Sequence, residues 1–151
     1  MATVSCSIKA APHEVFAVLS NGWAYSNWVV GTSYVRAVEA EWPAVGSRLF
    51  HASGVWPMIL RDETQVEQMT PDERLVVTAR GRPMGEARVE MTFAADPVGT
   101  CVTLTETPIK GLGRWIHNPL NEAVLVRRNV EALARLTPLV ERPTRPTQPT
   151  D

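Results

Sequence analysis

The sequence predicts an α+β fold in which a curved antiparallel sheet of about six or seven strands wraps around a long C-terminal helix. Segments with alternating apolar and polar residues follow one another between residues 33 and 107, and one long segment with helical periodicity occupies residues 119 to 141. An antiparallel sheet with one dry face needs a cover, which the amphipathic helix can provide. A sheet that curls around a helix leaves room for an apolar cavity between them.

The elements can be placed in chain order from their patterns. Alternation marks a first strand at residues 3 to 8, and Pro12 suits the first position of a short helix. Residues 22 to 31 form a second short helical or irregular piece, closed by Gly31. Further strands are expected at residues 33 to 42, 47 to 52, 58 to 69, 74 to 81, 86 to 95 and 100 to 107. Asn118 is a suitable N-cap for the final helix.

Composition bounds the class of protein. Residues 1 to 141 are expected to form one domain, and the Pro/Thr-rich residues 142 to 151 a disordered tail. The formal net charge is −1 without a Lys/Arg cluster, which argues against a nucleic-acid partner. The N-terminus lacks the pattern of a secretory signal, and no apolar run approaches the ~18 residues of a membrane span. These features predict a cytoplasmic protein without a membrane span, either a monomer or a homodimer.

The cysteines and histidines indicate no redox or metal chemistry. Strand parity places Cys6 on the inner face of the sheet and Cys101 on the outer face, so no disulfide is expected. The chain has three histidines, and none has a second ligand at a usable spacing. We therefore expect neither a metal nor another cofactor.

Four polar residues fall on the inward face of the predicted strands: His51, Asp62, Thr64 and Glu106. Burying such a group without a partner costs about 1–3 kcal/mol. One interpretation makes His51, Asp62 and Glu106 catalytic. A histidine with a carboxylate partner can act as a general base for enolisation, aldol closure or dehydration, and a carboxylate in apolar surroundings can serve as an acid.

A structural alternative accounts for the same carboxylates. Asp62 and Glu106 would then pair with Arg80, with Arg82 or with backbone N–H groups near a strand end. The residues that alternate with Asp62 along its strand, including Glu63, are expected to face water.

The same alternation along the strands predicts which residues line the cavity. Its apolar residues are predicted to be Met58, Leu60, Val77, Val89, Met91, Phe93, Val102, Leu104 and Val130. Trp28, Trp56 and Trp115 either rim the cavity mouth and stack on a ligand or pack at the ends of the sheet. Asn129, at the edge of the helix's apolar side, bonds either a ligand or a local partner.

Several stretches carry a family resemblance: "IKAAPHEVFAVLS", "NWVVGTSYVRAVE", "WPAVGSRLFHASGVWP", "GTCVTLTET", and "NPL" with "RRNVEALARL". With their order along residues 2 to 141, they resemble the START-like or SRPBCC superfamily, specifically its polyketide cyclase/dehydrase-like branch. The resemblance implies a helix-grip fold with an apolar cavity that binds lipids, sterols, polyketides or hormones. It also implies that some relatives catalyse cyclisation or dehydration, some only carry a ligand, and some assist chaperones.

Three functions follow as hypotheses. The favoured one is binding of a small hydrophobic or aromatic, lipid- or polyketide-like molecule in the cavity. The second is a polyketide cyclase/aromatase or dehydrase that uses His51 with Asp62 and Glu106 as acid and base. The third is a protein-interaction domain, which an exposed apolar patch of several hundred Å² would favour.

Overall fold

The computed structural model describes residues 1–55, 57–81, 85–111 and 118–142. The strands are β1 (Ala2–Ile8), β2 (Thr32–Val38), β3 (Arg48–Val55), β4 (Met58–Thr70), β5 (Arg74–Gly81), β6 (Gly85–Ala95) and β7 (Thr100–Lys110). The helices are α1 (Pro12–Ser20), α2 (Tyr25–Trp28) and α3 (Pro119–Glu141), with a 3₁₀ turn at Gly22–Ala24 between the first two. Pro12 and Pro119 each lie in the first turn of a helix, and the Asn118 side chain accepts a hydrogen bond from the Leu120 backbone N–H at 2.7 Å.

The strands form one open antiparallel sheet in the order β1-β7-β6-β5-β4-β3-β2. Consecutive strands from β2 to β7 pair with one another, and β1 returns to pair with β7. The segment with α1 and α2 therefore connects one edge strand of the sheet to the other. A curved sheet with a long C-terminal helix confirms the predicted α+β fold class.

Helix α3 covers only part of the dry face of the sheet. Its backbone runs close to β1, α1 and α2 rather than to the central strands. The C-terminal half of the helix fills the core, where Leu136 is completely buried beside the core residues Ile8 and Val102. The N-terminal half stands away from β5 and β6, and the space below it is the cavity described in the next section.

The buried side of α3 differs from the predicted one by about one residue. It consists of Asn129, Ala132, Leu133, Leu136 and Val140. Val130 is 53% exposed, so the prediction that it walls the cavity is wrong. The sequence predicts Val130 on the cavity wall and Asn129 at the edge of the apolar side, whereas α3 buries Asn129 and exposes Val130.

The tip of the β3–β4 hairpin also departs from prediction. Met58 is 75% exposed and Leu60 is 37% exposed, so their assignment to the cavity wall is wrong. The β4–β5 pairing begins at Thr64 opposite Ala79, and the first residues of β4 pair only with β3. Strand parity places Met58 and Leu60 on the inner face. At the tip of the hairpin, however, β5 does not extend alongside β4, so these two side chains are left exposed.

The outer face of the sheet carries crossed ion pairs. Arg80 contacts Glu63 at 2.6 Å and Glu86 at 3.1 Å, and Arg88 contacts Glu67 at 3.3 Å. Exposed pairs of this kind contribute about 0–1 kcal/mol each. They account for the outward charges of β4 and leave its inward residues as the ones that need an explanation.

The two cysteines occupy neighbouring strands. Cys6 pairs in register with Val102, and Cys101 pairs with Ser7, which puts the two thiols on opposite faces. Both are free thiols, as predicted. Among the described residues, no helix is long and apolar enough to cross a membrane.

Candidate functional site

A cavity of about 710 Å³ lies between the sheet and the N-terminal half of α3. Most of its lining is apolar and comes from β5, β6, β7, α2 and α3. The apolar lining includes Trp28, Leu75, Val77, Val89, Met91 and Leu104. The volume falls within the ~300–1,000 Å³ range of small-molecule sites. The space exists because α3 leans on β1 and leaves the central strands uncovered at this end.

A buried chain of polar groups reaches the cavity wall. The hydroxyl groups of Tyr25 and Thr64 are 3.0 Å apart, and the Thr64 hydroxyl lies 3.2 Å from Nε2 of His51. The rings of Tyr25 and His51 stack with centroids 5.4 Å apart, and Trp28 meets Tyr25 edge-on at 5.8 Å. All four side chains are at least nine-tenths buried. The short helix α2 therefore fixes the orientation of an imidazole that belongs to β3.

The protonation of His51 follows from this chain. Burial lowers the pKa of His51 below its ordinary value of 6.5, against a smaller opposite effect of Asp62, so the imidazole is neutral at pH 7. Burial also raises the pKa of Tyr25, which keeps its phenol protonated. The arrangement that keeps both hydroxyl protons within the chain has Tyr25 donate to Thr64 and Thr64 donate to Nε2. In that arrangement Nδ1 of His51 carries the imidazole proton.

Two buried nitrogen atoms have no hydrogen-bond partner within the described part of the chain: Nδ1 of His51 and Nδ2 of Asn129. His51 is 4% exposed and Asn129 is 5% exposed, and both line the cavity. Leaving such a group unpaired costs about 1–3 kcal/mol. These two atoms are the polar groups of the cavity wall that call for a partner from outside the described chain.

Glu106 lines the cavity on β7 and forms an ion pair with Arg128 of α3. The Glu106 side chain is 7% exposed, whereas that of Arg128 is 41% exposed. Glu106 therefore pairs with an arginine, as the structural alternative predicts, but that arginine is Arg128. Arg80 instead pairs with Glu63 and Glu86, and Arg82 lies outside the described residues.

Asp62 is buried on β4 directly opposite His51 in the strand register. It borders a smaller neighbouring cavity of about 250 Å³ together with Arg80 and Glu86, rather than the main cavity. Arg36 donates to the backbone carbonyl groups of His51 and Asp62, both at 3.3 Å. Asp62 therefore acts on the imidazole through its charge, from the neighbouring strand.

The structure brings most of the predicted site residues to one cavity. The residues on its wall are Trp28, His51, Val77, Val89, Met91, Leu104, Glu106 and Asn129. Phe93 and Val102 are buried in the core and do not line the cavity, so their assignment to its wall is wrong. Phe93 packs edge-on against Phe16 with ring centroids 6.2 Å apart. Trp56 and Trp115 lie outside the described residues. Within the described ranges, no three His, Cys, Asp or Glu side chains form a cluster that could hold a metal ion.

Sequence reasoning missed Tyr25 and Arg128. Tyr25 and Trp28 are spaced i, i+3 in α2, a spacing that places two aromatic rings on one helix face and could have marked them as a pair. Arg128 adjoins Asn129 on α3. No local signal pointed to its contact with Glu106, because the two residues meet only through the packing of α3 over β7.

The sequence matches the model of a family described as "Polyketide cyclase / dehydrase and lipid transport" over residues 1–141. No curated protein matches the chain. The family match spans every described strand and helix.

Solved structures share the fold. A protein from Chromobacterium violaceum has a TM-score of 0.70 at 17% identity, over 92% of this chain and 96% of its own. An AHSA1-like protein from Aeromonas hydrophila has a TM-score of 0.67 at 15% identity, over 97% of both chains. DynU16, a protein of the dynemicin biosynthetic locus, has a TM-score of 0.66 at 16% identity, over 93% of this chain and 47% of its own. At these identities the likeness concerns the fold alone.

Proposed function

Because the chain belongs to the polyketide cyclase, dehydrase and lipid transport family, we propose that it binds a small hydrophobic or aromatic, polyketide-like molecule in the cavity under α3. One observation carries the proposal: a mostly apolar cavity of about 710 Å³ presents two buried nitrogen atoms without partners in the described chain. An apolar wall with a few converging polar groups is the usual form of a small-molecule site. The apolar surface supplies affinity, and the polar groups orient the ligand.

The aromatic residues favour a flat ligand. Trp28 lines the cavity and is fixed edge-on to Tyr25, which in turn stacks on His51. Offset or edge-on ring contacts add about 0.5–1.5 kcal/mol to the burial of an aromatic group. DynU16, which shares the fold, is described as a protein in the dynemicin biosynthetic locus.

Native mass spectrometry of freshly purified protein tests the binding function. We expect a small molecule to remain bound in the wild-type protein and to be lost from the variant Val89→Trp, because Val89 lies on the cavity wall. Val98→Trp is the matched control, since Val98 is 52% exposed in the β6–β7 turn. A small molecule bound equally to both variants would count against a ligand in this cavity. The absence of a bound molecule from all three proteins would count against it as well.

A second candidate function is cyclisation or dehydration of a polyketide-like substrate. The observation that favours it is the presence of His51 on the cavity wall, with its imidazole held by the Tyr25–Thr64 chain. On a β-hydroxy ketone, the Nδ1–H of a neutral imidazole can give its proton to the departing hydroxyl group while a water molecule accepts the proton of the adjacent carbon. Water would leave as the new carbon–carbon double bond forms.

The two candidates are separated by a turnover assay. A poly-β-ketone thioester is incubated with the wild-type protein and with His51→Gln, and mass spectrometry follows the loss of water. Loss of the conversion in His51→Gln with retained affinity supports the enzyme. Recovery of an unchanged thioester from the wild-type protein supports the binding function alone.

A further inference from the structure

His51 and Asn129 reach the cavity from opposite sides. His51 belongs to β3 in the sheet, and Asn129 belongs to α3, which covers the sheet. Each contributes a buried nitrogen atom without a partner among the described residues. We propose that the ligand presents a neutral oxygen acceptor, a ketone or quinone carbonyl on an aromatic framework, to the N–H groups of His51 and Asn129. The inference rests on the proposed binding function and names the chemical group that the site selects.

We take the hydrogen-bond chain to run from Tyr25 through Thr64 to Nε2 of His51. Tyr25 and Thr64 together supply two hydroxyl protons, and both stay within the chain when Thr64 donates to Nε2 of His51. Nδ1 is then an N–H donor. The Asn129 Nδ2 group is also a donor. Two donors select an acceptor, whereas an apolar ring edge or a second donor would leave both groups unpaired.

The surrounding charges favour a neutral acceptor over a carboxylate. Arg128 and Arg80 are the arginines that line the cavity among the described residues, and both are paired with carboxylates. Asp62 lies beside His51 on the neighbouring strand and adds negative charge on that side. An anionic ligand would therefore find both cavity-lining arginines already paired, while a carbonyl oxygen needs only the two N–H groups.

The apolar wall limits the rest of the ligand. Val77, Val89, Met91 and Leu104 line the cavity from the sheet, and Ala132 lines it from the helix. These side chains offer no hydrogen-bonding groups, so the part of the framework that contacts them should be hydrocarbon or aryl ether. A tricyclic aromatic ketone has the required combination of one acceptor and an otherwise apolar surface.

The test compares three probes that share one framework: xanthone, xanthene, which has CH₂ in place of the carbonyl, and xanthene-9-carboxylate. Calorimetric titration of the wild-type protein should give xanthone at least about fivefold tighter binding than xanthene, since one buried hydrogen bond is worth 1 kcal/mol or more. The carboxylate should bind more weakly than xanthone. In Asn129→Leu the preference of xanthone over xanthene should shrink by about fivefold, with xanthene retained.

Nitrogen NMR of labelled His51 provides an independent readout. The ¹⁵N shifts should show a protonated Nδ1 and an unprotonated Nε2, and Nδ1 should move on addition of xanthone. Equal affinity for xanthone and xanthene, or tighter binding of the carboxylate, would overturn the inference while leaving the binding function intact. If none of the three probes binds, the proposed function fails, and the inference fails with it.

Discussion

Replacing Asn129 by leucine should make the ligand-free protein more stable. Asn129 is 5% exposed, lies on the buried side of α3, and carries an Nδ2 group without a partner in the described chain. Leucine has nearly the same length, needs no hydrogen bond and is a better helix former. A site that reduces the stability of its own fold is expected where a side chain is kept for a ligand.

The unpaired amide of Asn129 sets the size of the expected gain in unfolding free energy. Removing an unpaired buried donor relieves about 1–3 kcal/mol, and the better helix propensity of leucine adds up to about 0.5 kcal/mol. For a domain of this size, each kcal/mol raises Tm by about 2–4 °C, so we expect an increase of roughly 3–12 °C. Circular dichroism during heating and urea titration monitored by fluorescence measure the change.

The control is Val130→Leu, the neighbouring helix position, which is 53% exposed. It changes helix propensity without touching a buried polar group, so its free energy of unfolding should stay within about 0.5 kcal/mol of the wild-type value. A lower Tm for Asn129→Leu than for Val130→Leu would show that the Asn129 amide is satisfied within the folded chain. The Nδ2 group of Asn129 would then not be a donor that is kept free for a ligand.

Three further outcomes follow from the same structure. Burial lowers the pKa of His51 in the folded state, so the difference in unfolding free energy between the wild type and His51→Gln should be constant above pH 6.5. As the pH falls below 6.5, the wild type should lose stability relative to the variant, until the pH passes the folded-state pKa and the difference levels off. Urea titrations across pH 4.5–8 measure this difference. Arg128→Met leaves the buried Glu106 carboxylate unpaired and should cost about 1–3 kcal/mol, whereas Arg135→Met, which removes an exposed pair with Glu131, should cost less than about 0.5 kcal/mol; equal losses would contradict this. Leu136→Ala empties a fully buried position under the C-terminal half of α3 and should cost about 2–5 kcal/mol by chemical denaturation; a smaller loss would show that this end of the core can collapse around the gap.

The sequence carried enough information for the sheet and the long helix because alternation and helical period are local signals. Strand β6, where Val89, Met91 and Phe93 alternate with polar residues, has the period that a half-buried strand requires. The inward position of His51 and Glu106 followed from the same parity, and the structure confirms their burial.

The details of the candidate site depend on packing that no local pattern encodes. Met58 and Leu60 have the correct parity, but their burial depends on how far the neighbouring strand β5 extends. Asn129 breaks the apolar pattern of α3, so the sequence predicts it only at the edge of the apolar side of the helix. Arg128 meets Glu106 only because α3 crosses above β7. Such departures from local rules are expected where a chain keeps polar groups for a function.

The space between the sheet and α3 should take up a hydrophobic molecule. Methyl NMR of the full chain titrated with xanthone tests it most directly. We expect intermolecular NOEs from the xanthone ring protons to the methyl groups of Val89, Met91 and Leu104, which line the cavity. NOEs confined to the exposed methyl groups of Leu120 and Val98, with the cavity methyl groups unchanged at saturating xanthone, would contradict the claim.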